Sequence, residues 1–285
     1  MSYINDKSLV NAAWVAAHLD DAQVRIVDGS WHLPPTGRNG REEYGEAHIP
    51  GAVYFNIDAI SDPDSSLPHM MPSAETFAAA VGELGIGNEH RVVVYDANGL
   101  FSAPRVWWMF RAFGHENVTL MTGGFRAWRN IGHPVTSEIP SPQAAMFVAN
   151  FNPNMVRSKA QIRANLDSGA ELVLDARAAK RFAGTEPEMR PGVQPGHVPG
   201  SGNLPYSEII NDADGNFKSA DDLRIAFDAQ GATGVQPVTT TCGSGVTACI
   251  LGLGMHLIGR DNWAVYDGSW TEWGGSNDTP IEVEA

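Results

Sequence analysis

The sequence predicts an α/β protein in which one template is used twice, each copy a mostly parallel sheet flanked by helices. Three observations carry that expectation. An ordered set of motifs recurs at an offset of 145 to 149 residues, and short β-branched runs alternate with amphipathic segments in both sets. A proline-rich stretch without periodicity separates the two sets.

In the first set, RIVDGSW at 25–31 is followed by YGEAHIPGAVYF at 44–55, RVVVYDANGLFSAPRVWWMFRAFG at 91–114 and MTGGFRAW at 121–128. In the second, ELVLDAR at 171–177 is followed by VQPGHVPGSGNLPY at 193–206, QPVTTTCGSGVTACILGLGMHLIG at 236–259 and YDGSWTEW at 266–273. Asp28 thus matches Asp175, His48 matches His197, Asp96 matches Cys242 and Trp128 matches Trp273. Coincidence would not keep that spacing, so the chain is read as a duplication.

The runs RIVD, VVVY, VTLM, ELVLD, PVTTT and WAVY read as strands. The segments SLVNAAWVAAHL, SAETFAAAVGEL, SKAQIRANL and ADDLRIAF read as the helices between them, the order of βαβ units around a parallel sheet. The stretch 133–154 carries four prolines and reads as the connection, which divides the chain into domains at 1–135 and 155–285 with a linker at 136–154. At 285 residues each domain can bury its own core. In HIPG and HVPG, Pro fixes φ and Gly permits the bend, so His48 and His197 are expected in turns after strands rather than in catalysis.

Composition narrows the function. With 43% hydrophobic and 18% charged residues the chain is globular, and a formal charge of -14 argues against nucleic acid or an anionic membrane as partner. A small anionic substrate would need a few local cations. No apolar run reaches the roughly 18 residues of a membrane span, and the N-terminal residues lack a basic region followed by an apolar one, so a cytoplasmic protein is expected. The two cysteines, Cys242 and Cys249, stand seven positions apart. On a helix that is about 10 Å, beyond the ~7 Å a disulfide spans, and both are expected as thiols.

The segment PVTTT-CGSGVT-ACILGLGMHL reads strand, tight loop, helix, with Val246, Ile250, Leu253 and Leu257 at helical spacing. Cys242 therefore falls where parallel α/β sheets bind ligands. Gly243 and Gly245 let successive N–H groups turn inward into an anion nest facing the positive end of a helix dipole, a field that stabilises a thiolate and equally a persulfide anion. Cys249, inside the helix, is expected to be core packing. Cysteine phosphatases also place Cys in such a loop, but they need Arg six residues later; that position here is Ala248 and the loop is one residue short. Asp96, at the Cys242 position of the first copy, cannot accept a sulfur atom, so only the second domain can be a carrier.

The duplication, the HIPGA and HVPGS turns, the Cys loop followed by VTA, and YDGSWTEW together resemble the rhodanese sulfurtransferases over roughly residues 8–275. The resemblance implies two tandem rhodanese-like α/β domains with the site between them. CGSGVT is similar to the loop of the branch that uses 3-mercaptopyruvate, whereas thiosulfate-using members carry basic residues where Gly243 and Ser244 stand. It also implies that Arg181 and Arg190, in RFAGTEPEMRPG, hold the substrate's carboxylate and keto oxygen, with Gly243, Gly245, Val246 and Thr247 lining the substrate site. Arg163 and Arg177 lack the motif match and are expected in solvated surface ion pairs. FNIDAISD and SSLPHMMP resemble the segments that bring Asp58 and His69 to act with Ser244 as a proton relay.

The expected reaction is covalent: Cys242 takes sulfur from a small donor and passes it to a thiol, cyanide or thioredoxin, with no metal or organic cofactor. Two rivals are a thiosulfate sulfurtransferase and a non-enzymatic persulfide carrier. The latter predicts no turnover with small donors.

Overall fold

The β-branched runs of each copy assemble into a five-stranded, entirely parallel sheet. The structure, a computed structural model, describes residues 2–284. In the first sheet β1 (Leu9–Val10), β2 (Val24–Asp28), β3 (Val53–Tyr54), β4 (Arg91–Tyr95) and β5 (Val118–Met121) lie in the order β1-β5-β4-β2-β3. The second repeats it: β6 (Val156–Arg157), β7 (Leu172–Asp175), β8 (Gly202–Asn203), β9 (Val238–Thr241) and β10 (Trp263–Tyr266) lie as β6-β10-β9-β7-β8. β4 and β9 are therefore central, and the loops at 96–102 and 242–247 leave from the middle of their sheets.

Helices of the first copy are α1 (Ala12–Ala16), α2 (Gly40–Glu46), α3 (Ala74–Glu83), α4 (Ala103–Ala112) and α5 (Gly124–Asn130). Those of the second are α6 (Lys159–Ser168), α7 (Ala179–Phe182), α8 (Ala220–Ala229), α9 (Ala248–Leu257) and α10 (Ser269–Trp273). Side-chain oxygens close several of their starts, Ser73 accepting from the Thr76 amide and Ser158 forming a full capping box with Gln161.

The helices that follow the two central loops, α4 and α9, pack on each other and are apolar on nearly every face, as a helix buried on all sides must be. Trp107 of α4 stacks on Trp263 of β10 at 6.2 Å, and one hydrophobic core runs through both domains. That shared core fixes each loop relative to the opposite domain.

Two sequence expectations are modified. The edge strands β1, β3, β6 and β8 have two residues each, too short to show a period, and the first apolar pair of SLVNAAWVAAHL is strand rather than helix. The connection, which holds no helix or strand over 137–152, is nonetheless strapped to the first domain. The Ala145 amide donates to Gly82 and the Asn150 amide to Phe113, each at 2.9 Å, and Phe147 is buried against Phe77 and Phe110.

Candidate active site

The loop after β9 is built so that its carbonyls point away from its centre. The Cys242 carbonyl accepts from the Trp270 amide at 2.9 Å, and that of Gly243 from both the amide and the hydroxyl of Thr271. The Gly245 carbonyl accepts from Arg105 Nη1 at 3.1 Å. Gly245 reaches this arrangement through φ of +76°, and a Cβ there would lie 2.8 Å from Arg105 Nη1 and 2.9 Å from the Asp267 carbonyl. With the carbonyls turned out, the N–H groups of residues 243–248 meet no protein acceptor among the described residues. Cys242, 2% exposed, stands at the start of this row of free donors.

The first copy shows what such a row does with an anion. The Asp96 carboxylate accepts from the amides of Asn98, Gly99, Phe101, Ser102 and Ala103 at 2.7 to 2.8 Å. Five donors close on one buried carboxylate, so the first loop is filled by its own side chain. Asp96→Ala strands those amides away from water and is expected to lower stability by at least about 3 kcal/mol, taking ~1–3 kcal/mol for each buried donor left unpaired and allowing for relaxation. Urea denaturation checks it, with a change under ~1 kcal/mol contradicting the assignment.

Cys242, Gly243, Ser244, Val246 and Thr247 line a cleft of about 200 Å³ together with Arg181 and Arg190. Trp31, Leu33 and Phe101 of the first domain and Tyr206 of the second supply its apolar walls. Arg181 leans on the loop: a Cβ at Gly243 would sit 3.4 Å from its Nη2.

The two guanidiniums are not equivalent. Arg181 Nη2 donates to Glu188 at 2.5 Å, and the same carboxylate accepts from Arg177 Nη1 at 2.7 Å. The Arg190 guanidinium makes no hydrogen bond or ion pair among the described residues; only its backbone carbonyl is bonded, accepting from the Val193 amide. The side chain is half-buried, and burial holds its pKa below the ordinary guanidinium value while Asp58 and Cys242 favour its charge. Arg190 is thus the cation with every side-chain donor open and no carboxylate paired to it, whereas Arg181 spends Nη2 on Glu188 and keeps Nε without a partner.

The expectation for Arg177 is corrected. It is not a solvated surface group but 2% exposed, fixed by Asp175, Glu188 and the Gly196 carbonyl. The cause is local: Asp175 ends a buried strand and its charge requires a buried counterion. Arg163 pairs with Asp278 at the surface as expected.

Asp58 and His69 meet, with Oδ1 and Nδ1 2.7 Å apart, an ion-pair separation whose N–H direction falls outside hydrogen-bond geometry. Trp31 joins them, its Nε1 donating to Asp58 at 3.0 Å and its ring lying edge-on to His69. Burial pushes the His69 pKa below the usual imidazole value, with Arg105 and Arg190 adding to it against the pull of Asp58, a balance that favours the neutral ring. No hydrogen bond joins His69 to Ser244 among the described residues, and His69 Nε2 is buried without a partner. Cys249 is fully buried, its thiol aimed at the Gly245 carbonyl and its pKa pushed far up by burial. His48 and His197 are held by the carbonyls of Tyr44 and Phe182, as turn residues are.

Models of the rhodanese-like domain match residues 11–131 and again 158–276. The chain belongs to the rhodanese family. Among its relatives, the 3-mercaptopyruvate sulfurtransferase of Rattus norvegicus is 45% identical over 273 residues, covering 94% of this chain and 92% of that one. The thiosulfate sulfurtransferase of Bos taurus is 43% identical over 274 residues with the same coverage. The crystal structure of SseA from Escherichia coli, described as a 3-mercaptopyruvate sulfotransferase, superposes with a TM-score of 0.84 at 38% identity, covering 92% of this chain and 98% of that one. This rhodanese is accordingly a sulfurtransferase, and its two sheets are two rhodanese-like domains.

Proposed function

We propose that the protein takes sulfur from 3-mercaptopyruvate onto Cys242 and delivers it to a thiol or cyanide. The observation that carries the donor is where the positive charge sits: Arg181 and Arg190 flank the cleft while the loop itself offers Gly243 and Ser244. An α-keto acid bound by its carboxylate to Arg190 can turn its thiol toward Cys242 in the same cleft, whereas a compact dianion seated in the loop would meet no cationic side chain from residues 243–247 themselves.

The Cys242 thiolate attacks the donor's sulfur. The S–S bond forms as the C–S bond breaks, its electron pair leaving as the enolate of pyruvate, which then takes a proton at carbon. Ser244, in the cleft, and His69, whose Nε2 is free, are the groups assigned to that proton, with Asp58 orienting the imidazole. The free amides of the loop stabilise the persulfide anion until an acceptor thiolate or cyanide attacks the outer sulfur and restores Cys242.

The ratio of kcat/KM for mercaptopyruvate to that for thiosulfate, with cyanide as acceptor, is the test. A ratio well above one is expected; a preference for thiosulfate, the donor named for the bovine relative, would overturn the donor assignment.

A further inference from the structure

Arg105 does not line the cleft; it stands in the first turn of α4, within the repeat segment 91–114, and has no exposed surface. It is a cation placed among Val106, Trp107, Trp108 and Met109, all fully buried, so its charge must be compensated by a buried counterion; Nη1 and Nη2 are partnered, while Nε finds no acceptor among the described residues. The partners come from three separate segments. Nη1 reaches Asp267, just after β10, at 2.5 Å and the Gly245 carbonyl of the Cys242 loop at 3.1 Å. Nη2 donates to the carbonyl of His69. The ion pair is extended on its other side, where Asp267 Oδ2 accepts from the Met71 amide at 2.7 Å.

This single group therefore joins the two halves of the site. The Gly245 carbonyl is the one outward carbonyl of the loop that is held from the opposite domain, and holding it outward keeps the neighbouring N–H groups turned in. His69 occupies the left-handed region, with φ of 60°, a conformation a non-glycine residue keeps only when its surroundings impose it. The bond from Arg105 to its carbonyl and that from the Met71 amide to Asp267 clamp the segment on either side. Burial disfavours the Arg105 charge, but its neighbours, the Asp267 carboxylate first among them, more than offset this.

We propose that Arg105 is a positioning residue for sulfur transfer, a pin from the first domain that sets the Cys242 loop and the His69 segment in register with each other. The proposal rests on Cys242 being the sulfur carrier. It assigns Arg105 no contact with substrate.

Because truncating Arg105 alone leaves Asp267 buried and unpaired, the test uses two variants. Arg105→Lys keeps the charge but cannot reach all three partners at once. The double variant Arg105→Met with Asp267→Leu removes the pair together and so avoids an orphaned charge. For both, kcat with mercaptopyruvate is expected to fall by about 10²-fold, the scale of an ångström-sized misplacement. KM should stay within about twofold, since Arg181 and Arg190 are untouched. Alkylation of Cys242 by iodoacetamide should slow in parallel.

A purely structural role predicts instead that the double variant, if it regains the wild-type denaturation midpoint, regains wild-type kcat and alkylation rate as well. That result overturns the proposal, as does wild-type kcat in Arg105→Lys. Should the double variant not fold, Arg105→Lys decides alone. The underlying reading is checked separately on the wild-type protein: incubation with mercaptopyruvate must add the mass of one sulfur atom at Cys242. Its absence sinks the carrier assignment, whereas its presence with unchanged rates in the variants sinks only the role of Arg105.

Discussion

Cys242→Ser is expected to lower sulfur transfer by at least about 10³-fold while leaving the denaturation midpoint within a few degrees of wild type. The side chain is almost fully buried, and sulfur to oxygen is a small change in volume, so packing changes little. Chemistry changes completely. A hydroxyl is not ionised near pH 7, and an alkoxide could not hold a sulfane sulfur as a persulfide does. The measurement pairs a transfer assay with intact mass after exposure to mercaptopyruvate. Activity within tenfold of wild type, or an adduct on another residue, would remove Cys242 from its role. Cys249 is not a substitute, since its thiol is locked at the Gly245 carbonyl and its anion is strongly disfavoured by burial.

Arg190→Ala should raise KM for mercaptopyruvate by about 10²-fold, and Arg181→Ala by closer to tenfold. The difference follows from what each guanidinium already holds. Arg181 is neutralised by Glu188 at 2.5 Å, and its net pull on a carboxylate is correspondingly smaller. Arg190 has its donors open and, half-buried, works in a medium that screens it less than water does. A charge-assisted hydrogen bond contributes ~1.5–3 kcal/mol, which spans the range from tenfold to about 10²-fold. Steady-state kinetics in both variants decide it: equal shifts would mean that Glu188 releases Arg181 when substrate binds, and no shift in either would displace the carboxylate from this pair.

Much of this was legible in the sequence because the signals are local. The central strands are runs of four or five residues, and Cys242 sits in a strand-glycine-helix sequence whose geometry is set within ten residues. Arg181 and Arg190 were recognisable only through a motif, and the same is true of Asp58 and His69, which are loop residues whose meeting depends on the fold. What stayed hidden is what the two domains do to each other. Arg105 and Asp267 are 162 positions apart, and Met71 and Asp267 196. A sign of Arg105 was present all the same, a lone cation entering the apolar run VWWMF. Trp31, too, stood in a quoted motif, at a position where the second copy has Ala178; differences between the copies, more than their agreement, marked the working residues.

The Asp96 loop has one more consequence. From Cα outward an aspartate runs through Cβ and Cγ to a charged oxygen, and a cysteine persulfide runs through Cβ and Sγ to a charged sulfur, the same number of atoms ending in the same charge. On the proposed chemistry, the Asp96 loop is therefore a tethered analogue of the loaded intermediate, built permanently into the chain. Read across to the second copy, whose loop is one residue shorter, it indicates that the outer sulfur comes to rest among the amides of residues 244–248. If Cys242 carries the sulfur as proposed, the protein holds beside that loop a likeness of it at the midpoint of the reaction.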